Sequence, residues 1–177
     1  RDLATPTISR QRLGIVGLGM IGSGIARRAE GADMEIAYTG PRPKDAPWRY
    51  MDDITALAEA SDYLVLSCPG GPETRHMIDA GVLRALGPEG FLINVARGSI
   101  VDNDALVVAL KDGVIAGAAI DVYEDEPNIP EAFKSLENMT LTPHIGGSAA
   151  DANQAKYRLY MENIRAHMAG KPLPTPI

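Results

Sequence analysis

The chain has 177 residues, 45% of them hydrophobic, and a formal net charge of -6. That is one domain of ordinary size with apolar material enough for a core. The acidic balance argues against nucleic acid or an anionic membrane surface as partner, since neither offers an acidic chain counterion release or lipid attraction. The single cysteine, Cys68, excludes an intrachain disulfide, no apolar run is long enough to span a bilayer, and no secretory pattern opens the chain, so the cytoplasm is the expected location.

Residues 1–11 are polar, carry a proline and read as a connector. Leu13, Ile15 and Val16 then make a short apolar run suited to a buried parallel strand. Gly17, Gly19 and Gly22 follow with the spacing G-x-G-x-x-G, and a helix is expected over 25–32. In this setting the first glycine turns the chain out of the strand, the second lets backbone approach a pyrophosphate, and the third lets the helix pack closely. The helix N-terminus offers N–H groups and the positive end of its dipole to the anion. A second strand over 34–38 ends in Thr39 and Gly40, where an NAD site of this type carries an acid on the ribose hydroxyls. With no acid to repel a 2′-phosphate, and with Arg42 and Lys44 following, the residues favour NADP(H) over NAD(H). Arg42 is the better phosphate partner because its planar fork matches phosphate geometry; a solvated basic loop is the other reading.

Further on, a helix is expected over 53–60, capped by Asp52 or Asp53, and a strand over 63–68 that Pro69, Gly70, Gly71 and Pro72 break. Cys68 reads as a small core residue rather than a nucleophile. A helix over 80–86 and a strand over 90–95 lead into Ala96, Arg97 and Gly98. A helix over 104–111 stops near Gly113, and a strand over 115–122 carries Asp121 at its end. Residues 123–138 are acidic and irregular, 139–142 form a last short strand before Pro143 and His144, and 149–169 form a long helix followed by an extended tail. Strands alternating with helices predict an α/β fold with a doubly wound parallel sheet, whose ligands bind outside the carboxyl ends of the strands. That rule gathers the glycines, Thr39 to Arg42, Pro69 to Gly71, Arg97, Asp121 and His144 on one edge.

A nicotinamide cofactor carries hydride, so the protein must hold a carbonyl or alcohol and move a proton. His144 suits the proton, and a Glu of the acidic loop, Glu126 foremost, would favour its charged form. Arg97 can hold a carboxylate through two hydrogen bonds, and Asp121 can accept from the carboxamide. Each also has a plain structural use. His76 and His167 read as surface or packing residues. No metal is expected.

At these residues the chain resembles the D-isomer-specific 2-hydroxyacid dehydrogenases. The resemblance rests on GLGMIG, INVARGSIVD, AAIDVYEDEP and TPHIGG, in that order, and covers almost the whole chain. It implies that Arg97 holds a 2-keto acid, His144 protonates its keto oxygen, Glu126 keeps His144 protonated and Asp121 contacts nicotinamide. It places Met20, Ile21, Cys68, Pro69, Val95, Ala96, Gly146 and Gly147 around the cofactor with Gly17, Gly19, Gly22, Thr39, Gly40, Arg42 and His144. The strand end Tyr38-Thr39-Gly40 with Arg42 beyond it looks like the NADPH-preferring glyoxylate and hydroxypyruvate reductases of the family. Gly70 and Gly71 stand where many members carry larger residues, which is expected to widen the loop beside nicotinamide. The resemblance also implies a dimer, a dinucleotide-binding domain over 12–148, and a C-terminal helix and tail over 149–177 that would pack on a substrate domain missing here. The expected function is a reductase of small 2-keto acids, represented by a cofactor domain that alone turns over slowly or not at all. The other reading is a dinucleotide-sensing scaffold of the corepressor kind, which Arg97, Glu126 and His144 make the weaker one.

Overall fold

The computed structural model describes residues 7–176, so residues 1–6 of the expected connector and the last residue of the expected tail lie outside the described residues. Among the described residues, short runs separated by turn residues become seven strands: β1 (Arg12–Val16), β2 (Glu35–Thr39), β3 (Arg49–Tyr50), β4 (Tyr63–Leu66), β5 (Phe91–Asn94), β6 (Gly117–Ile120) and β7 (Met139–Leu141). All pairings are parallel, in the order β3-β2-β1-β4-β5-β6-β7. The order reverses between β1 and β4, which leaves a crevice at their carboxyl ends. The strand β3 was not anticipated; two residues between loops give no periodic signal.

Alternation sends successive residues to opposite faces. Val16, Leu64, Leu66, Leu92 and Ile120 join one buried cluster, packed under α2 (Ile54–Glu59), α3 (Ala80–Leu86) and α4 (Asn103–Lys111). Leu13, Ile15, Tyr38 and Val65 join the other, under α1 (Met20–Glu30). Helix starts on the first face are fixed by aspartates that accept backbone N–H groups: Asp53 from Ala56, Asp79 from Gly81 and Val82, and Asp102 from Asp104 and Ala105. Asp53, not Asp52, is therefore the cap of α2. Gly113 lies past the end of α4 with φ +66°.

Two expectations are corrected. Helix α1 begins at Met20, well before residue 25, because Gly22 is held in the helix by packing on Gly17 and Ser67 despite its poor propensity. The irregular stretch 123–138 contains a short helix, α5 (Glu131–Lys134), anchored by buried Phe133. The chain divides into two compact units, Arg1–Pro143 and His144–Ile177. The second holds α6 (Ala150–Met168), which buries no residue and exposes Tyr157, Tyr160 and Met168.

At the amino ends of the strands, Arg12 ties β1 to the entry of β4. Its Nη2 stands 2.6 Å from Asp62 Oδ1, and its Nε and backbone N–H both donate to Oδ2. These donors, the guanidinium first, hold the Asp62 carboxyl below its ordinary value. A depressed folded pKa adds stability above the unfolded value and loses it as pH falls through the folded one. The pair is partly exposed, so its worth is about 1 kcal/mol. Urea midpoints should show Asp62→Asn less stable than wild type at pH 7, with the gap closing in acid below the ordinary aspartate range. A gap that persists at low pH would refute the assignment.

Candidate functional site

The turn after β1 is fastened to its neighbours by backbone. Gly17 takes φ +94°, its N–H donates to Thr39 O at 2.9 Å, and its carbonyl accepts Ser67 Oγ at 2.7 Å. A Cβ on Gly17 would lie 2.7 Å from the Cys68 backbone, and one on Gly22 would lie 2.2 Å from Gly17 O. Gly19, the N-cap of α1, has open space where a Cβ would stand, and no side chain caps the helix. Two glycines are thus required by the fold, and one leaves room outside it. Beside them Met20 and Ile21 are 93% and 60% exposed, a poor use of large apolar side chains unless something covers them. Burial pushes the Cys68 thiol up, away from thiolate, in keeping with a packing role.

Thr39 is buried at the end of β2, while Arg42 is exposed on the loop beyond it. Gly40 has nothing within 4 Å of an added Cβ. After β4, the expectation of a widened loop is half corrected. Gly71 is open, but a Cβ on Gly70 would stand 2.7 Å from Arg97 Cγ, so Gly70 lies flat against the stem of that arginine.

Arg97 owes its position to a buried asparagine that sequence reasoning missed. Asn94, 1% exposed, donates from Nδ2 to Arg97 O at 2.9 Å and accepts Ala96 N–H at 3.0 Å, closing the turn through Val95 and Ala96. A polar residue at the end of an apolar strand is the available signal, since burial requires that its amide be satisfied. Arg97 is exposed, and its Nη1 donates to Ala96 O. The next residue, Gly98, is buried against the backbone of Tyr123 and Glu124.

Asp121 is buried at the end of β6, where its N–H donates to Asn94 O and its Oδ1 accepts Thr142 Oγ1. Tyr123 OH donates to Thr142 O at 2.8 Å, and its own N–H donates to Glu126 Oε1 at 3.0 Å. Burial first, and then the charge of Asp121, raise the Tyr123 phenol. Tyr123 and Thr142 are further residues not singled out from sequence. Across the same strand ends, Arg75 Nη1 pairs with Glu124 Oε1 at 2.5 Å, and His76 Nε2 lies 3.9 Å from Glu124 Oε2.

His144, Gly146 and Gly147 belong to the second unit. His144 is exposed with φ +52°, a left-handed backbone uncommon outside glycine. Ser148 N–H donates to Ile145 O, and Lys156 Nζ to Gly147 O, so residues 145–148 form a turn leading into α6.

Within the first unit, then, the carboxyl ends of β1, β2, β4, β5 and β6 bring together the glycine turn, the Thr39 corner, the Gly70 loop, Arg97, Asp121 and Glu126. An uncapped eleven-residue helix, an open glycine at its start and exposed side chains beside it fit a dinucleotide. Arg97 adds a cation able to hold a carboxylate.

Residues 1–146 match the model of the D-isomer specific 2-hydroxyacid dehydrogenase NAD-binding domain. The chain is 44% identical over 174 residues to hydroxyphenylpyruvate reductase of Plectranthus scutellarioides, covering 98% of this chain and 56% of that protein. It is 42% identical over the same length to glyoxylate/hydroxypyruvate reductase A of Arabidopsis thaliana, again 98% and 56%. Among solved structures, the NADPH-dependent glyoxylate/hydroxypyruvate reductase of Sinorhizobium meliloti, in complex with NADP and malonate, superposes with a TM-score of 0.90 at 42% identity, over 94% of this chain and 53% of that one. The chain spans about half the length of these relatives. It belongs to the D-isomer specific 2-hydroxyacid dehydrogenase family, as the NAD-binding domain.

Proposed function

We propose that this chain is the cofactor-binding part of an NADP(H)-dependent reductase of small 2-keto acids, of the glyoxylate and hydroxypyruvate kind, acting as a homodimer in the cytoplasm. The observation that carries the cofactor reading is the end of β2: Thr39 and Gly40 stand where an acid would repel a 2′-phosphate, and Arg42 follows on an exposed loop. The relative of Sinorhizobium meliloti with NADP bound, and the reductase of Arabidopsis thaliana, support the cofactor and substrate class respectively.

In this reading residues 12–148 hold the dinucleotide. Gly17, Gly19 and Gly22 bring backbone to the pyrophosphate with Met20 and Ile21, while Thr39, Gly40 and Arg42 receive the adenosine ribose and its phosphate. Cys68, Pro69, Val95, Ala96, Asp121, Gly146 and Gly147 surround the rest. A nicotinamide held there would supply or take the hydride. Arg97 holds the substrate carboxylate, which fits a guanidinium whose stem is seated on Gly70. His144 gives its proton to the keto oxygen, and Glu126 serves as the acidic residue of the same reaction. Residues 149–177 pack on a substrate domain, a role suited to a helix that exposes Tyr157, Tyr160 and Met168.

Fluorescence titration of the 177-residue chain with NADPH and NADH tests the cofactor reading. NADPH should bind at least about tenfold more tightly, roughly 1.4 kcal/mol, and Arg42→Ala should abolish the difference. Equal or NADH-favoured binding by the wild type would overturn it.

A further inference from the structure

The segment joining β2 to β3, residues 40–48, has neither helix nor strand, yet aromatic side chains pin it at three points. Tyr50 OH donates to Gly40 O at 3.0 Å. Tyr38 OH accepts Lys44 N–H at 2.8 Å and donates to Lys44 O at 3.3 Å. At the far end, Trp48 Nε1 donates to Glu30 Oε1 at 2.9 Å, fixing the segment to the last turn of α1. The two tyrosines face each other in register across the β2–β3 pair, with ring centroids 5.4 Å apart. Their hydroxyls reach different points of the loop backbone, and Arg42 lies two residues from each anchor.

We infer that Tyr38 and Tyr50 are positioning residues for 2′-phosphate recognition: by holding the backbone at Gly40 and Lys44, they preset the loop from which Arg42 meets the phosphate. The inference rests on the NADP(H) reading above. A nine-residue loop without regular structure has conformational freedom to lose when its arginine engages an anion, and that loss subtracts from affinity. Two hydroxyl anchors remove part of it before the cofactor arrives. The advantage goes to the phosphorylated cofactor alone, because NADH offers Arg42 no phosphate. Two tyrosines that served only to fill the core would affect both cofactors alike.

The difference is measurable on the whole chain. Tyr50→Phe keeps the ring and its contact with Tyr38 and removes only the bond to Gly40. The expected result is a Kd for NADPH raised about three- to tenfold, the worth of one hydrogen bond, with the Kd for NADH within about twofold of wild type. Tyr38→Phe, which deletes the Lys44 anchor, should shift the ratio in the same direction. Equal weakening of both cofactors, or no change in either, by a wild type that prefers NADPH would overturn the positioning role while leaving the Arg42 reading intact. A wild type with no preference would overturn the Arg42 reading itself, and this inference with it.

Discussion

Gly98→Ala is expected to destabilise the chain by about 3 kcal/mol, the upper end of what overpacking ordinarily costs. Its added Cβ would stand 2.1 Å from Tyr123 C, 2.3 Å from Glu124 N and 2.6 Å from Tyr123 O. All three are backbone atoms, so no rotamer change relieves the overlap and one segment must move as a body. The segment most exposed to that movement carries Glu126, whose carboxylate accepts the Tyr123 N–H. Thermal melts should fall by about 6–12 °C for a domain of this size. Gly98 is not in the left-handed region, so backbone conformation contributes nothing to the effect. A melt within about 2 °C of wild type would mean that residues 123–126 yield easily, and that the packing of Gly98 does not hold the acidic loop.

Gly22→Ala sets two effects of opposite sign against each other. Within a helix, alanine is favoured over glycine by about 1 kcal/mol. Here the Cβ would stand 2.2 Å from Gly17 O and 2.8 Å from Ser67 Oγ, and the first of these is backbone in the turn that bonds to Thr39 and Ser67. Overlap should win, with a net loss of about 2 kcal/mol and at least about tenfold weaker binding of either dinucleotide. Two residues on, the same substitution should reverse sign. A Cβ on Gly24 meets only Arg28 Nη1, at 3.3 Å, the far end of a flexible side chain. Gly24→Ala should therefore gain up to about 1 kcal/mol. Urea midpoints of both variants decide the matter, and two shifts of the same sign would contradict it.

Much of the fold was legible because the strands are short, apolar and bounded by Gly, Pro or Asp. Leu13 to Val16 and Tyr63 to Leu66 announce themselves, and Asp53 marks its helix by cap chemistry that acts over three residues. What stayed illegible depends on contacts distant in sequence. Gly22 and Gly24 lower the helix propensity of 20–24, and the packing of Gly22 on Gly17 and Ser67, the latter distant in sequence, holds that stretch in the helix. Asn94 reads as the tail of an apolar run until Ala96 and Arg97 fold back on its amide. Gly70 suggested a roomier loop because its partner, the stem of Arg97, lies on another strand end. The motifs identified Arg97, Asp121 and Glu126 as a set through order and spacing. Tyr123 and Thr142 lie inside those motifs, but that the Thr142 hydroxyl bonds Asp121 and the Tyr123 hydroxyl bonds Thr142 O emerges only from the fold.

The sheet stops on its two shortest strands, two residues at β3 and three at β7, and Arg49 puts an exposed charge on the first. An approaching chain finds room there for only one or two ladder bonds, and a charged short edge is one of the ways sheets resist templated growth. Self-association of the first unit is thereby steered away from strand-on-strand stacking and toward contacts between side-chain faces, which are saturable and separable by dilution where fibrous ladders are not.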